Sequence, residues 1–140
     1  LKKISPDSFK REVPKPSAAV AIPQVLSSRI NELVKTISTP ASEVVVNIYD
    51  NGTIDNDTVS VYLDNKLVIS KQRLTEKAIT FKISLPNVGE VHELVMVAEN
   101  LGEIPPNTSL MIVNAGQEQY EVRITSTEQK NAMVRFKREE

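Results

Sequence analysis

From residue 43 onward, apolar and polar residues alternate with a period of two along most of the chain. In EVVVNIY (43–49), Val44, Val46 and Ile48 fall on one face, and Glu43, Val45 and Asn47 on the other. TVSVYL (58–63) repeats the pattern with Val59, Val61 and Leu63. AITFKISL (78–85) does so with Ile79, Phe81, Ile83 and Leu85, YEVRIT (120–125) with Tyr120, Val122 and Ile124, and AMVRFK (132–137) with Val134 and Phe136. This period predicts strands with one buried and one wet face. ELVMVA (93–98) and SLMIVN (109–114) are apolar on both faces, as central strands are. Turn chemistry separates the runs: Asp64-Asn65 before KLVIS (66–70), Pro86-Asn87-Val88-Gly89, Ile104-Pro105-Pro106-Asn107 and Ala115-Gly116. About eight or nine short strands at regular spacing predict an all-β protein, an immunoglobulin-like antiparallel β-sandwich. A closed barrel is the alternative.

The first part of the chain reads differently. Residues 1–24 carry Pro6, Pro14, Pro16 and Pro23 and are expected to form an extended leader or linker ahead of a domain spanning 25–140. VLSSRINELVKTIS (25–38) is ambiguous. Leu26, Ile30, Leu33, Val34 and Ile37 recur at helical spacing, whereas the β-branched residues ahead of the turn TPAS suit a strand.

Composition narrows the chemistry. With 17 Lys+Arg against 18 Asp+Glu, the net charge of -1 offers no footprint for nucleic acid. Zero cysteines exclude disulfides, thiolate catalysis and Cys-ligated zinc. No apolar run approaches the roughly 18 residues of a membrane span. The chain opens on Leu1, and a processed product whose targeting signal has been removed is expected.

If successive strands alternate in direction, the connections at 50–57, 71–77, 99–107 and 126–131 share one pole, and the tight turns at 64–66, 86–90 and 115–117 share the other. Long polar loops gathered on one rim are where a scaffold displays recognition. That rim would bring Asp50, Asp55 and Asp57 towards Glu99, Asn100 and Glu103. Oxygen ligands of this kind are what calcium prefers, so Asp50, Asp55, Asp57 and Asn100 are candidate Ca2+ ligands. Glu99, Glu103, Asn107, Tyr49 and Tyr62 are candidates for a binding surface. The spacing does not fit the EF-hand loop, since Val61 stands where its terminal Glu belongs. The other reading is that the Asp and Asn residues simply turn the chain through local backbone bonds.

Four segments also carry a resemblance: Tyr49-Asp50-Asn51-Gly52, the run IDNDTVSVYL (54–63), Gln72-Arg73-Leu74-Thr75, and AENLGEIPPNT (98–108). Over roughly residues 30–138 the chain resembles a domain found in exported proteins of the Bacteroidetes, departing from its pattern at Asn56, where that pattern has glycine. The resemblance implies an immunoglobulin-like sandwich outside the cytoplasm and a first strand over 31–38. It implies no catalytic residues.

An enzyme is not expected. The single histidine, His92, reads as a strand residue near a sheet end, and with no Cys the usual nucleophile–base pairs have few possible members. Asp55 and Asp57 share one loop and offer no facing walls for glycoside hydrolysis. Tyr49 and Tyr62 are expected on outward faces of adjoining strands, as a cross-strand pair or as a platform for sugar. Arg123, Arg135, Lys137 and Arg138 read as edge charges that discourage strand addition, with a basic strip across neighbouring strands as the alternative. The function expected is a non-catalytic, exported module for structural support or adhesion, with a protein or glycan partner at the cell envelope, periplasmic or at the cell surface. The alternatives are a carbohydrate-binding module using the same pole, or an accessory domain of a periplasmic enzyme.

Overall fold

A computed structural model describes residues 21–50, 57–99 and 107–140. Nine strands follow one short helix: α1 (Gln24–Ser27), β1 (Ile30–Thr39), β2 (Glu43–Asp50), β3 (Thr58–Leu63), β4 (Lys66–Arg73), β5 (Ile79–Ser84), β6 (Val91–Ala98), β7 (Asn107–Ala115), β8 (Glu118–Ser126) and β9 (Lys130–Arg138). They form a five-stranded sheet in the order β1-β9-β6-β3-β4 and a four-stranded sheet in the order β5-β2-β7-β8. The expected all-β, immunoglobulin-like sandwich is present, and all eight strands read from residue 43 onward occur. One pairing departs from the antiparallel expectation: β1 runs parallel to β9.

The period-two pattern becomes the core. Val44, Val46 and Ile48 meet Met111 and Val113 on one wall, and Val59, Val61, Leu94, Met96, Val134 and Phe136 form the other, all at most 1% exposed. The hairpins β3–β4 and β7–β8 stay within one sheet, and every other connection between the strands crosses from sheet to sheet. Asp64 and Asn65 both adopt positive φ, 51° and 68°, as a two-residue turn matched to strand twist requires.

The ambiguous stretch 25–38 contains both readings. Its first residues make one helical turn, and strand β1 begins at Ile30. A register shift between Leu33 and Lys35 inserts an extra residue into β1 and changes the phase of the alternation. The apolar residues at 30, 33, 34 and 37 then mimic helical spacing. Only Ile37 of these four reaches the core; Ile30, Leu33 and Val34 are exposed.

β6 is the middle strand of its sheet, and its outward residues are covered as well. Leu26 of α1 lies over Val95 and Val97, with Val25, Tyr62 and Met133 around it. Side-chain amides hold the segment down. Asn31 Nδ2 donates to Leu26 O at 2.7 Å. Asn131, fully buried, donates through Nδ2 to Val25 O at 3.1 Å and to Asn31 Oδ1 at 2.8 Å.

Two expectations about surface pairs fail because adjoining strands belong to different sheets. Tyr49 lies on β2 of the four-stranded sheet and Tyr62 on β3 of the five-stranded one. Both side chains point outward, so they occupy opposite faces of the sandwich and form no cross-strand pair. Likewise Arg123 (β8) and Arg135 (β9) sit in different sheets. Arg135 is bound to Glu93 at 2.7 Å, Lys137 to Glu139 at 3.5 Å, and Arg138 donates to Leu85 O and Pro86 O. These four residues do not make a basic strip.

Candidate binding pole

The ladders fix which strand ends meet. Asp50 stands opposite Ser109 in β2–β7, Val59 opposite Ala98 in β3–β6, and Thr58 opposite Arg73 in β3–β4. The ends flanking 51–56 and 100–106 therefore emerge at one pole, as strand alternation predicts. The connection after β4 emerges there too. It is shorter than expected, because β4 continues to Arg73 and Leu74 is buried in the core.

Backbone bonds knit this pole together. Asp50 N–H donates to Thr75 O at 3.1 Å, Leu74 N–H to Asp57 O at 2.8 Å, and Glu99 N–H to Thr58 O at 2.9 Å. Asp57 is only 1% exposed. Its Oδ2 accepts the Thr108 N–H at 3.2 Å, which ties the first strand after one loop to the first strand after the other, across the two sheets. A buried carboxylate is costly unless hydrogen-bonded, and backbone N–H donors are the strong form of that compensation. Asp57 thus acts as a staple beneath the pole and is not part of an outward binding surface.

Glu99 is exposed and lies at the rim. Ser60, almost fully buried, donates its hydroxyl to Glu99 Oε2 at 2.5 Å and accepts the Lys71 N–H at 3.0 Å. Lys71 has φ 45°, a left-handed conformation that a side chain normally avoids. The irregular pairing between Val59 and Tyr62 marks the β-bulge that produces it. Tyr49 is half-buried on the outer face of β2, one residue from the pole. Tyr62, the penultimate residue of β3, stands opposite Val95 and packs beside α1.

Asp55, Asn100 and Glu103 lie outside the described residues. Asn107 opens β7, its backbone opposite Ser126. Among the described residues, no group of three or more His, Asp or Glu side chains is placed to hold a metal ion. No helix among them is long and apolar enough to cross a membrane.

Sequence reasoning missed Arg29. Its Nη1 donates to Ala98 O at 3.1 Å, to Thr127 O at 3.2 Å and to Asn131 Oδ1 at 3.5 Å, joining the β6 and β8 ends of the pole. Those partners lie 69, 98 and 102 residues away in sequence, so no local pattern marks the residue.

No protein-family model, curated protein or solved structure matches the chain.

Proposed function

We propose that the protein is a non-catalytic, exported module that acts in structural support or adhesion at the cell envelope and engages a partner through the pole carrying loops 51–56 and 100–106. The observation that carries this reading is the contrast between the two ends. At one end, the strand ends flanking 51–56 (NGTIDN) and 100–106 (NLGEIPP) are tied at their base by Asp57 and Arg29. At the other end, the connections at 64–65 and 116–117 span two residues and that at 40–42 three, with the six-residue β5–β6 connection the longest. Loops on a rigid base are how sandwiches present recognition surfaces. The resemblance to exported Bacteroidetes domains supports a location outside the cytoplasm.

The test is site-specific photo-crosslinking of the full-length protein in its native cells, after fractionation. A crosslinker at position 99 should capture an envelope partner, and one at position 65 should not. Cytosolic fractionation, or capture from position 65 alone, overturns the reading.

The carbohydrate-binding alternative now rests on Tyr49 at the pole, since Tyr62 is turned to the opposite face under α1. Sugar binding on a glycan array, lost in Tyr49→Ala and retained in Tyr62→Ala, would favour it. The calcium reading of Asp50, Asp55, Asp57 and Asn100 requires a melting temperature raised by millimolar calcium and insensitive to it in Asp57→Asn.

A further inference from the structure

At the end opposite the loops, the single imidazole of the chain sits between two carboxylates from different connections. His92, the second residue of β6, has its Nδ1 against Asp64 Oδ2 of the β3–β4 turn. On its other side, Nε2 meets Glu90 Oε2 of the β5–β6 connection at 2.6 Å. Both carboxylates are themselves fixed. Asp64 Oδ1 accepts the Glu93 N–H at 2.9 Å, and Glu90 Oε1 accepts the backbone and side-chain N–H of Asn87, each at 3.2 Å.

We propose that His92, Asp64 and Glu90 form a proton-dependent clasp that holds the β3–β4 turn to the β5–β6 connection and closes the turn pole.

The chemistry follows from the imidazole's two nitrogens. A neutral ring has one N–H donor and can satisfy only one ionised carboxylate; the protonated ring has two and satisfies both. Loss of one proton therefore leaves a nitrogen lone pair facing a carboxylate, and that side of the clasp repels. Both carboxylates are acceptors only, so neither can supply the missing proton while ionised.

The other charged groups around the ring leave this arrangement intact. On β6, Glu93 is paired with Arg135 of β9 through Nε at 3.0 Å and Nη2 at 2.7 Å. Lys137, opposite Val91, pairs with Glu139. Arg138 gives its N–H to Glu90 O and its Nη1 to Leu85 O and Pro86 O. Lys66, which follows the turn, is exposed. Partial burial of the ring lowers its pKa, but hydrogen bonds to Asp64 and Glu90 and the charges of both carboxylates outweigh it, leaving His92 above its ordinary 6.5. Glu90 moves the other way, held below its ordinary 4.5 chiefly by the hydrogen bond from His92.

The signs define a window. A raised histidine contributes stability that is complete below pH 6.5 and is lost as pH rises through the folded value. A depressed glutamate contributes stability that is complete above pH 4.5 and is lost as pH falls through its folded value. The clasp is strongest between the two.

With one histidine in the chain, an NMR titration of the imidazole Cε1–H in the full protein reads the clasp without assignment ambiguity. The expected midpoint lies above 6.5, and Asp64→Asn lowers it. Asparagine tolerates the positive φ at this position, so the turn survives that change. In parallel, the thermal midpoint of the unsubstituted protein should fall between pH 6 and pH 9, and His92→Gln should flatten the fall. A ring titrating at or below 6.5, or a midpoint unmoved by Asp64→Asn, overturns the proposal. So does a pH profile that His92→Gln leaves unchanged. If His92→Gln fails to fold, the titration and the Asp64→Asn comparison decide alone.

Discussion

Leu26 offers the sharpest test of whether the segment before β1 belongs to the domain. The residue is 3% exposed and covers Val95 and Val97 on the outer face of the five-stranded sheet. Leu26→Ala removes three carbons, each contributing about 0.8 kcal/mol when buried, so the transfer loss is about 2.4 kcal/mol. A cavity at this thin surface cluster collapses or admits water more easily than one in the main core, so little is added. The expected total is about 2–3 kcal/mol, in the lower half of the 2–5 kcal/mol range for Leu→Ala. Leu94→Ala, in the core between the sheets, should cost more, about 3–5 kcal/mol. Urea unfolding of the full chain measures both, with an unchanged slope expected if the unfolded surface is the same. Contact with Val97 adds a second requirement: a double-mutant cycle of Leu26→Ala with Val97→Ala should show a coupling of about 0.5 kcal/mol or more. A cost below about 0.5 kcal/mol, or strict additivity, would mean that α1 does not dock where the structure places it.

Other expectations follow from single positions. Asp57→Asn should destabilise by about 1–3 kcal/mol through loss of a charged acceptor for Thr108 N–H, equally in EDTA and in millimolar calcium; a calcium-dependent rise in melting temperature that this substitution abolishes would make Asp57 a cation ligand. Lys71→Gly should raise stability by up to about 1 kcal/mol by relieving the left-handed backbone at φ 45°, read as a higher urea midpoint; a lower midpoint would show that the Lys71 side chain contributes contacts outweighing that strain. Asn65→Gly should stabilise by a few tenths to about 1 kcal/mol, since Asp-Gly is a preferred pair for a turn with two positive φ values, and a loss measured in the same assay would refute that turn geometry.

The fold was largely legible, and the errors have a common physical origin. Period two reports which side chains of a strand are buried, and it placed Val44, Val46, Ile48, Val134 and Phe136 correctly in the core. It carries no information about which sheet a strand joins. Tyr49 and Tyr62 therefore read as neighbours on successive strands although those strands lie in separate sheets, and the same holds for Arg123 and Arg135. The bulge at Leu33/Lys35 broke the phase of β1, and the displaced apolar residues resembled a helix. β6 was legible as a central strand because both faces are apolar, but what covers its outer face, Leu26, lies some seventy positions upstream, beyond any local pattern. At the loop pole, the Asp-rich composition was visible from residues 50–57. The tethers that set its base, Asp57 to Thr108 and Arg29 to Ala98, Thr127 and Asn131, are non-local and were not.

Those tethers change what the acidic stretch means. Read as composition, Asp50, Asp55 and Asp57 form one set of equivalent carboxylates. In the structure Asp57 is buried and bonded to the backbone of the opposite sheet, and Asp50 closes β2 with its N–H on Thr75. A carboxylate bonded to a backbone N–H inside the protein contributes to the position of the loops, and recognition then falls to groups beyond it at the rim, such as Glu99. The division predicts a separation of phenotypes for the proposed binding role. Substituting Asp57 should lower stability and weaken partner capture together, because the base of both loops shifts. Glu99→Gln keeps an acceptor for Ser60 and removes the rim charge, so it should weaken capture with a smaller change in melting temperature. If both substitutions affect capture only in proportion to stability, the pole serves the fold and the partner binds elsewhere.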